Sequence, residues 1–213
     1  MKPNVGMLYP VAAEVNSYVR GTGLTYKTPF VVSEARGATL NWEGNDGEFY
    51  GDNTLLDVDK GIIGYTLDFE PAGLKSDVRA KLLGEKTTTG SNSYKVTGAN
   101  PPDLGFGFVK EMREDDNGAV KTTFEGWFFY KIKFRINSEE ARTKERNLEW
   151  RVPTMNGTGS GVYLDDGDDP VFAIHEDFDD LDDAKEWVMD RFENATNEDA
   201  VETDPAETDT TTP

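Results

Sequence analysis

Cysteine is absent from this chain of 213 residues, and histidine occurs once, at His175. Without thiols there is no disulfide framework, no cysteine nucleophile and no thiolate metal site, although this does not fix the compartment. With one imidazole, set beside Glu176, a multi-histidine metal site is excluded and nucleophilic triads lack parts. His175 reads as a surface residue. Apolar residues are also scarce, at 36%, so part of the chain is expected to stay outside any packed core. No apolar run reaches the length of a membrane span. The opening "MKPNVGMLYPVAAEV" briefly has the look of a secretion signal, but Pro10 breaks its apolar run and Glu14 closes it. The expectation is a soluble chain made without cleavage.

Charge is abundant but unevenly placed. The formal net charge is −19. Residues 165–213 hold 19 acids against two bases, Lys185 and Arg191, whereas residues 1–164 hold 22 acids against 20 bases. The chain therefore reads as a nearly neutral body with an acidic end. Binding to nucleic acid through a basic field is disfavoured, because such an end repels phosphate.

The aromatics, 12 Phe, eight Tyr and four Trp, suffice for one real core and fall mostly at period two, the spacing of half-buried strands. In 128–136, Phe128, Tyr130, Ile132, Phe134 and Ile136 occupy the even positions. Lys131, Lys133 and Arg135 occupy the odd ones, which predicts a strand with one core face and one basic face. Leu148, Trp150 and Val152 repeat the pattern after a charged linker, 137–147, and an antiparallel pair is expected. Ile63, Tyr65, Leu67 and Phe69 alternate, as do Leu104, Phe106 and Phe108 through Gly105 and Gly107. Ala38, Leu40 and Trp42 do so more weakly. Residues 24–32 suit an edge strand, given Pro29, and 171–174 a last short strand.

Two stretches favour helix. Around 76–84, Ser76 is the candidate cap, Leu74, Val78 and Leu82 share a face, and Gly84 can end the helix. In 181–192, Leu181, Ala184, Val188 and Phe192 share a face beside Trp187, with Asp early and bases late as the helix dipole favours. Residues 33–61, with weak strand signal and scattered glycines, read as a projecting hairpin or mobile loop. Residues 194–213 hold six acids, no base and no aromatic, and are expected to be disordered. The expected organisation is a β domain over 1–164, an acidic strand–helix segment over 165–193 packed on it, and the tail.

Several motifs dissolve on inspection. "LGEKTTTG" at 83–90 lacks the glycines of a phosphate-binding loop, Ala80 and Glu85 standing where they are needed. "DDGDD" at 165–169 has its Gly too early for an EF-hand and is followed by Pro170. It reads as a solvated acidic turn, with weak divalent binding left open. "NGT" at 156–158 and "NAT" at 194–196 match a glycosylation pattern but read as a turn and a tail. A pair of glycosidase carboxylates could be drawn from 41 acids, yet no motif selects one.

From residue 127 onward an ordered set of residues carries a resemblance. Trp127, Tyr130, Lys131, Lys133 and Phe134 begin it. Ser138, Glu139, Glu140, Thr143 and Lys144 continue it, and Pro153, Thr154, Gly157 and Thr158 close it. Upstream, Tyr50, Asp52 and Asn53, then "RAKLLG" at 79–84, then "PPDLGFGF" at 101–108 fall in the same order, and the helix near 181–192 supplies the usual ending. Over roughly 5–193 the chain resembles the major tail tube proteins of long non-contractile-tailed (siphovirus) phages, the phi13-type family. Residues 194–213 depart from that pattern.

The resemblance implies a mainly β fold with a minor α component, a β-sandwich or barrel-like subunit with one or two short packed helices. It implies a self-assembling virion protein, made in the host cytoplasm, whose hexameric rings stack into a tube for DNA. No catalysis and no cofactor are implied. The implied partners are further copies, the tape-measure protein, the tail terminator and baseplate-proximal tail proteins, with DNA as non-specific cargo and no membrane. On this reading Thr66, Asp68 and Glu70 are lumen-facing candidates, since a DNA conduit should not hold phosphate. The basic row 131–135 is then expected on a different surface. Glu43, Asp46, Glu48, Tyr50, Asp52 and Asn53 are assembly-interface candidates in a loop that orders on ring stacking. Glu139, Glu140, Arg142 and Lys144 are candidates for contacts between neighbours, equally well read as a solvated loop. Two other readings stand beside this one: a different β-sandwich virion component (neck, capsid or adhesin), and a carboxylate-dependent hydrolase.

Overall fold

Strands account for most of the described residues, in the order β1 (Asn4–Val19), β2 (Gly23–Tyr26), β3 (Phe30–Val31), β4 (Ala35–Gly44), β5 (Gly47–Gly51), β6 (Thr54–Asp59) and β7 (Ile62–Pro71). Helix α1 (Ser76–Leu83) follows, then β8 (Lys86–Thr87), β9 (Tyr94–Lys95), β10 (Leu104–Asp116), β11 (Ala119–Ile136), β12 (Met155–Gly159), β13 (Ala173–Phe178) and α2 (Leu181–Glu193). This computed structural model describes residues 3–45, 47–51, 54–59, 61–88, 92–98, 100–116, 119–136, 153–164 and 169–193. The fold is mainly β with two short helices among these residues.

One nine-stranded sheet follows the path β2-β1-β10-β11-β12-β7-β4, with β3 added to β1 and β13 to β11; all its pairings are antiparallel. The sheet folds over itself along β11. Aromatic contacts across the fold show this directly: Phe69 of β7 meets Phe106 of β10 at 5.3 Å, and Tyr65 meets Phe129 of β11 at 5.1 Å between ring centres. Ala12, Leu104, Phe106, Phe129, Ile132, Phe134, Leu67 and Met155 fill the space between the two layers, and Val78 and Leu82 of α1 pack into the same core. A second core lies on the other face of β1, β10 and β11, where Ala184, Val188 and Phe192 of α2 cover Val11, Ala13, Val109, Phe128 and Tyr130. The α2 stripe is the one its spacing predicts.

The expectation that 128, 130, 132, 134 and 136 share one face is overturned by a β-bulge. Leu104 pairs with Ile132 but Phe106 pairs with Phe129, so β11 carries one extra residue at Tyr130–Lys131. An extra residue reverses the alternation. Phe128 and Tyr130 therefore face α2, whereas Ile132 and Phe134 face the inter-layer core with Phe129. The bulge is held from both sides by tyrosines, Tyr26 half-buried and Tyr65 buried. The Tyr26 hydroxyl donates to the Tyr130 carbonyl at 2.6 Å, and the Tyr65 hydroxyl donates to the Lys131 carbonyl at 3.1 Å.

Glycines seat the covering elements. A Cβ on Gly107 would lie 2.6 Å from Val188 Cγ1, and one on Gly159 would lie 1.9 Å from the Tyr65 ring. The glycines that break the apolar pattern of β10 are thus the contact surface for α2. Other expectations need correction. β1 runs for 16 residues through the stretch that looked signal-like, because Tyr9 takes a positive φ of 51° beside Pro10 and a bulge there lets the strand resume. The single edge strand over 24–32 is two strands on β1, separated at Lys27–Pro29. Ser76 is the first helical residue; Lys75 takes the cap position and makes no side-chain cap. Gly84 ends α1 in the left-handed conformation as expected. The last short strand covers 173–178, with Val171 in a separate bridge to Val162. Residues 148–152, the linker 137–147 and the tail 194–213 lie outside the described residues, and the strand seen to pair with 132–136 is β12.

Burial raises the Tyr26 hydroxyl well above its ordinary range, assisted by Tyr130 and Tyr65, and burial alone raises Tyr65. An unfolded tyrosine loses its proton near about pH 10. The folded state keeps these two protons to higher pH, so their contribution is intact below about pH 10 and is lost as pH rises beyond it. Urea unfolding at about pH 8 and about pH 11 should show this loss, and Tyr65→Phe should lower stability by about 1–3 kcal/mol at the lower pH while flattening the pH dependence. Gly107→Leu, driven into Val188, should cost about 1–3 kcal/mol in the same assay.

Candidate assembly surface

Of the residues singled out from sequence, those the structure describes fall on one sheet face (Thr66, Asp68, Glu70) and on or beside the β5–β6 hairpin (Glu43, Glu48, Tyr50). In antiparallel strands, directly opposed residues point to the same side. Asp68 lies opposite Thr39 on β4 and Asn156 on β12, and Asn156 lies opposite Arg135 on β11. Thr66 lies opposite Asn41 and Thr158, and Thr158 lies opposite Lys133. Glu70 stands opposite Gly37. Across β4, β7, β12 and the end of β11 this face bears polar side chains, because the alternate positions Leu40, Leu67, Phe69, Phe134 and Met155 are taken by the core.

This register corrects one expectation. The acidic row Thr66, Asp68, Glu70 and the basic row Lys133, Arg135 occupy the same face, not different surfaces. Both signs of charge mix there, Asp68 and Glu70 with Lys133 and Arg135, and Glu43 opposite Gly64 on the same side. The Asn156 amide donates to the Asp68 carboxylate. Lys131 and Lys133 both approach Asp103, at 3.9 and 3.6 Å. Thr66 and Asp68 are half-buried, and Glu70, Lys133 and Arg135 are exposed. A face of mixed charge has little net attraction for phosphate.

The arm is β5 paired with β6, a two-stranded ribbon outside the main sheet. It continues the β4–β7 ladder beyond Gly44 and Ile62, so of the two expectations for 33–61 the projecting hairpin is the one observed. Glu43 is exposed where the ladder meets the arm. Glu48 and Tyr50 belong to β5. Asp46, Asp52, Asn53, Glu139, Glu140, Arg142 and Lys144 lie outside the described residues, as do 165–168 of the acidic turn.

Sequence reasoning missed the apolar collar at the base of the arm. Trp42, Ile62 and Ile63 are 44%, 46% and 65% exposed. Ile63 was expected in the core with Tyr65, but the core ends at Tyr65, which lies under Trp42 and Phe172. Alternation cannot reveal where a strand outruns its cover.

His175 is exposed as expected, but it is not free. Its ring stacks on Trp127 at 4.7 Å and Nδ1 lies 3.3 Å from Glu125, while the Lys110 ammonium covers the Trp127 ring at 3.9 Å and pairs with Glu125 at 3.2 Å. Among the described residues no three His, Asp or Glu side chains are grouped to hold a metal ion, and no helix is long and apolar enough to cross a membrane.

If the polar face serves contact rather than folding, its exposed members should be dispensable to the isolated chain. Glu70→Gln and Lys133→Gln should each leave the urea unfolding free energy within about 0.5 kcal/mol. Asp68→Ala, which removes one hydrogen-bond partner of Asn156, should cost about 1 kcal/mol. No family model matches the chain, and no curated protein matches it.

Proposed function

We propose that this chain is a non-catalytic structural subunit of a phage tail tube, self-assembling into stacked hexameric rings that pass DNA. The observation that carries the reading is the β4–β7 ladder. It forms the outer edge of the main sheet and then runs on as an arm beyond the subunit body. β1 lies beside Arg36, Gly37 and Ala38 at the start of β4, and the rest of such an edge strand can offer backbone donors and acceptors to another chain, a liability in a monomer and a resource in a self-assembling protein. A two-stranded ribbon is marginal by itself, so an arm of this kind gains its stability from a partner. The mixed-charge polar face bordering that edge suits the lumen, with α2 on the outside, covering the opposite layer.

The ordered motifs supply the remaining support. Trp127 to Phe134, Gly157 and Thr158, the α1 terminus at Gly84, and the start of β10 are among the parts of the chain that carry the resemblance to phi13-type tail tube proteins. They form adjacent pieces of one sheet and its plug. The partners on this reading are further copies, the tape-measure protein, the tail terminator and baseplate-proximal proteins, and the location is the virion.

Electron microscopy of the purified chain at high concentration should show rings or tubes. A chain that stays strictly monomeric after long incubation would remove the basis of the proposal. Truncation after Glu193 should leave assembly intact and promote bundling of tubes at moderate salt, because it removes six carboxylates and no base.

A further inference from the structure

The face of β10, β11 and β13 turned away from α2 carries a cluster that the assembly reading leaves unused. β11 is the middle strand of the three, and directly opposed residues share a side. Trp127 lies opposite His175, and Glu125 lies opposite Lys110 on one neighbour and Asp177 on the other. The two oxygens of Glu125 serve different strands. Oε2 accepts from the Lys110 ammonium of β10 at 3.2 Å, and Oε1 lies 3.3 Å from Nδ1 of His175 on β13. The Trp127 ring meets the same two groups. The Lys110 ammonium sits 3.9 Å from its centre, and the His175 ring stacks on it at 4.7 Å with the planes 13° apart. The Glu125 side chain is 14% exposed, whereas that of His175 is 57% exposed and open to protons from solvent. Arg36 of β4 borders a cleft that Lys110 lines and His175 does not. Glu176 and α2 lie on the opposite face, where Gly126 meets Trp187.

We propose that this cluster is a proton-sensitive latch, in which protonation of His175, the one histidine of the chain, tightens the seating of β13 on β11. The charges on this face decide the sign. With a neutral imidazole the three strands present two carboxylates, Glu125 and Asp177, against one ammonium, Lys110. Seating β13 sets those carboxylates directly opposite each other, and like charges so placed weaken a strand pair. A proton on His175 supplies the second cation. It faces the Glu125 carboxylate through Nδ1 and the Trp127 π-face through the stacked ring. Both attractions exist only while β13 is seated, so the seated state is favoured as protons bind. Lys110 is a like charge, but it is held by the other Glu125 oxygen. Imidazole changes charge between about pH 5 and 8. The latch is therefore tight at the acidic end of that window and loosens towards its alkaline end. Leu181 of α2 follows closely on Phe178 of β13, so what seats the strand also seats the helix that covers the second core. The inference does not depend on assembly.

Hydrogen–deuterium exchange of the full chain at low concentration, corrected for the intrinsic dependence of exchange on pH, tests the latch. Protection of Ala173–Phe178 should be about two- to five-fold greater at about pH 5.5 than at about pH 8, the range an exposed ion pair supports. Protection of Met155–Gly159, which pairs with the other segment of the same β11 edge, should not change. His175→Gln should hold β13 at the lower level at both pH values. His175→Arg keeps its charge and can stack on Trp127, so it should hold β13 at the higher level at both. A purely structural loss of the imidazole would not produce that gain. Asp177→Asn, which relieves the opposition to Glu125, should raise protection at the higher pH and shrink the response. A response that persists in His175→Gln belongs to the carboxylates and overturns the proposal. Equal protection of the native chain at both pH values overturns it as well, as does a response that His175→Arg leaves unchanged.

Discussion

The bulge at Tyr130–Lys131 is the constraint on which the remainder of the architecture depends. It inserts one residue into β11, the strand shared by both layers, and so exchanges the faces to which its two halves point. The first half gives Phe128 and Tyr130 to α2, and the second gives Ile132 and Phe134 to the inter-layer core. Bulged backbone leaves carbonyls outside the regular ladder, and buried carbonyls need donors. Tyr26 and Tyr65 provide them from opposite sides. Each tyrosine also fills core volume, so the polar pin and the apolar packing are carried by the same side chain.

The pins also decide where the neighbouring strands end. Tyr65 fits only because Gly159 has no side chain. Residue 159 is likewise the last of β12, beyond which β13 takes over the same edge of β11. The sheet thereby divides at the bulge. β12, β7 and β4 turn away as one layer while β13 stays with the layer under α2. This division leaves the Thr66, Asp68, Glu70 face open and carries the β4–β7 ladder out into the arm. The candidate assembly surface is thus a consequence of a core device, two tyrosines and a glycine, placed beneath it.

Much of the fold was legible in sequence because the signals involved are local. The stripe Leu181, Ala184, Val188, Phe192 reports a helix whatever covers it, and Gly84 can terminate α1 at little steric cost. Leu67, Phe69, Phe106 and Phe108 report strands through their spacing alone. What failed was everything that depends on a partner. A bulge leaves no mark in an alternating pattern, so 128–136 read as one face. Ser76 looks like a cap until the backbone places Lys75 there. Trp42 and Ile63 look like core until the structure leaves them 44% and 65% exposed. The candidate surface was half visible: Thr66, Asp68 and Glu70 were identified as one row, but Lys133 and Arg135 beside them required the register of β12.

The sequence by itself determined a mainly β chain with two short helices, a nearly neutral body and an acidic end, and left 33–61 open between a projecting hairpin and a mobile loop. These follow from periodicity, composition and turn residues, which act over a few positions. Only the tertiary structure decided which faces are shared, where the sheet divides, and that the β4–β7 ladder runs on into the β5–β6 hairpin. Those properties arise from hydrogen bonds between residues far apart in the chain, such as Tyr65 with Lys131. No local preference encodes the register that such bonds select.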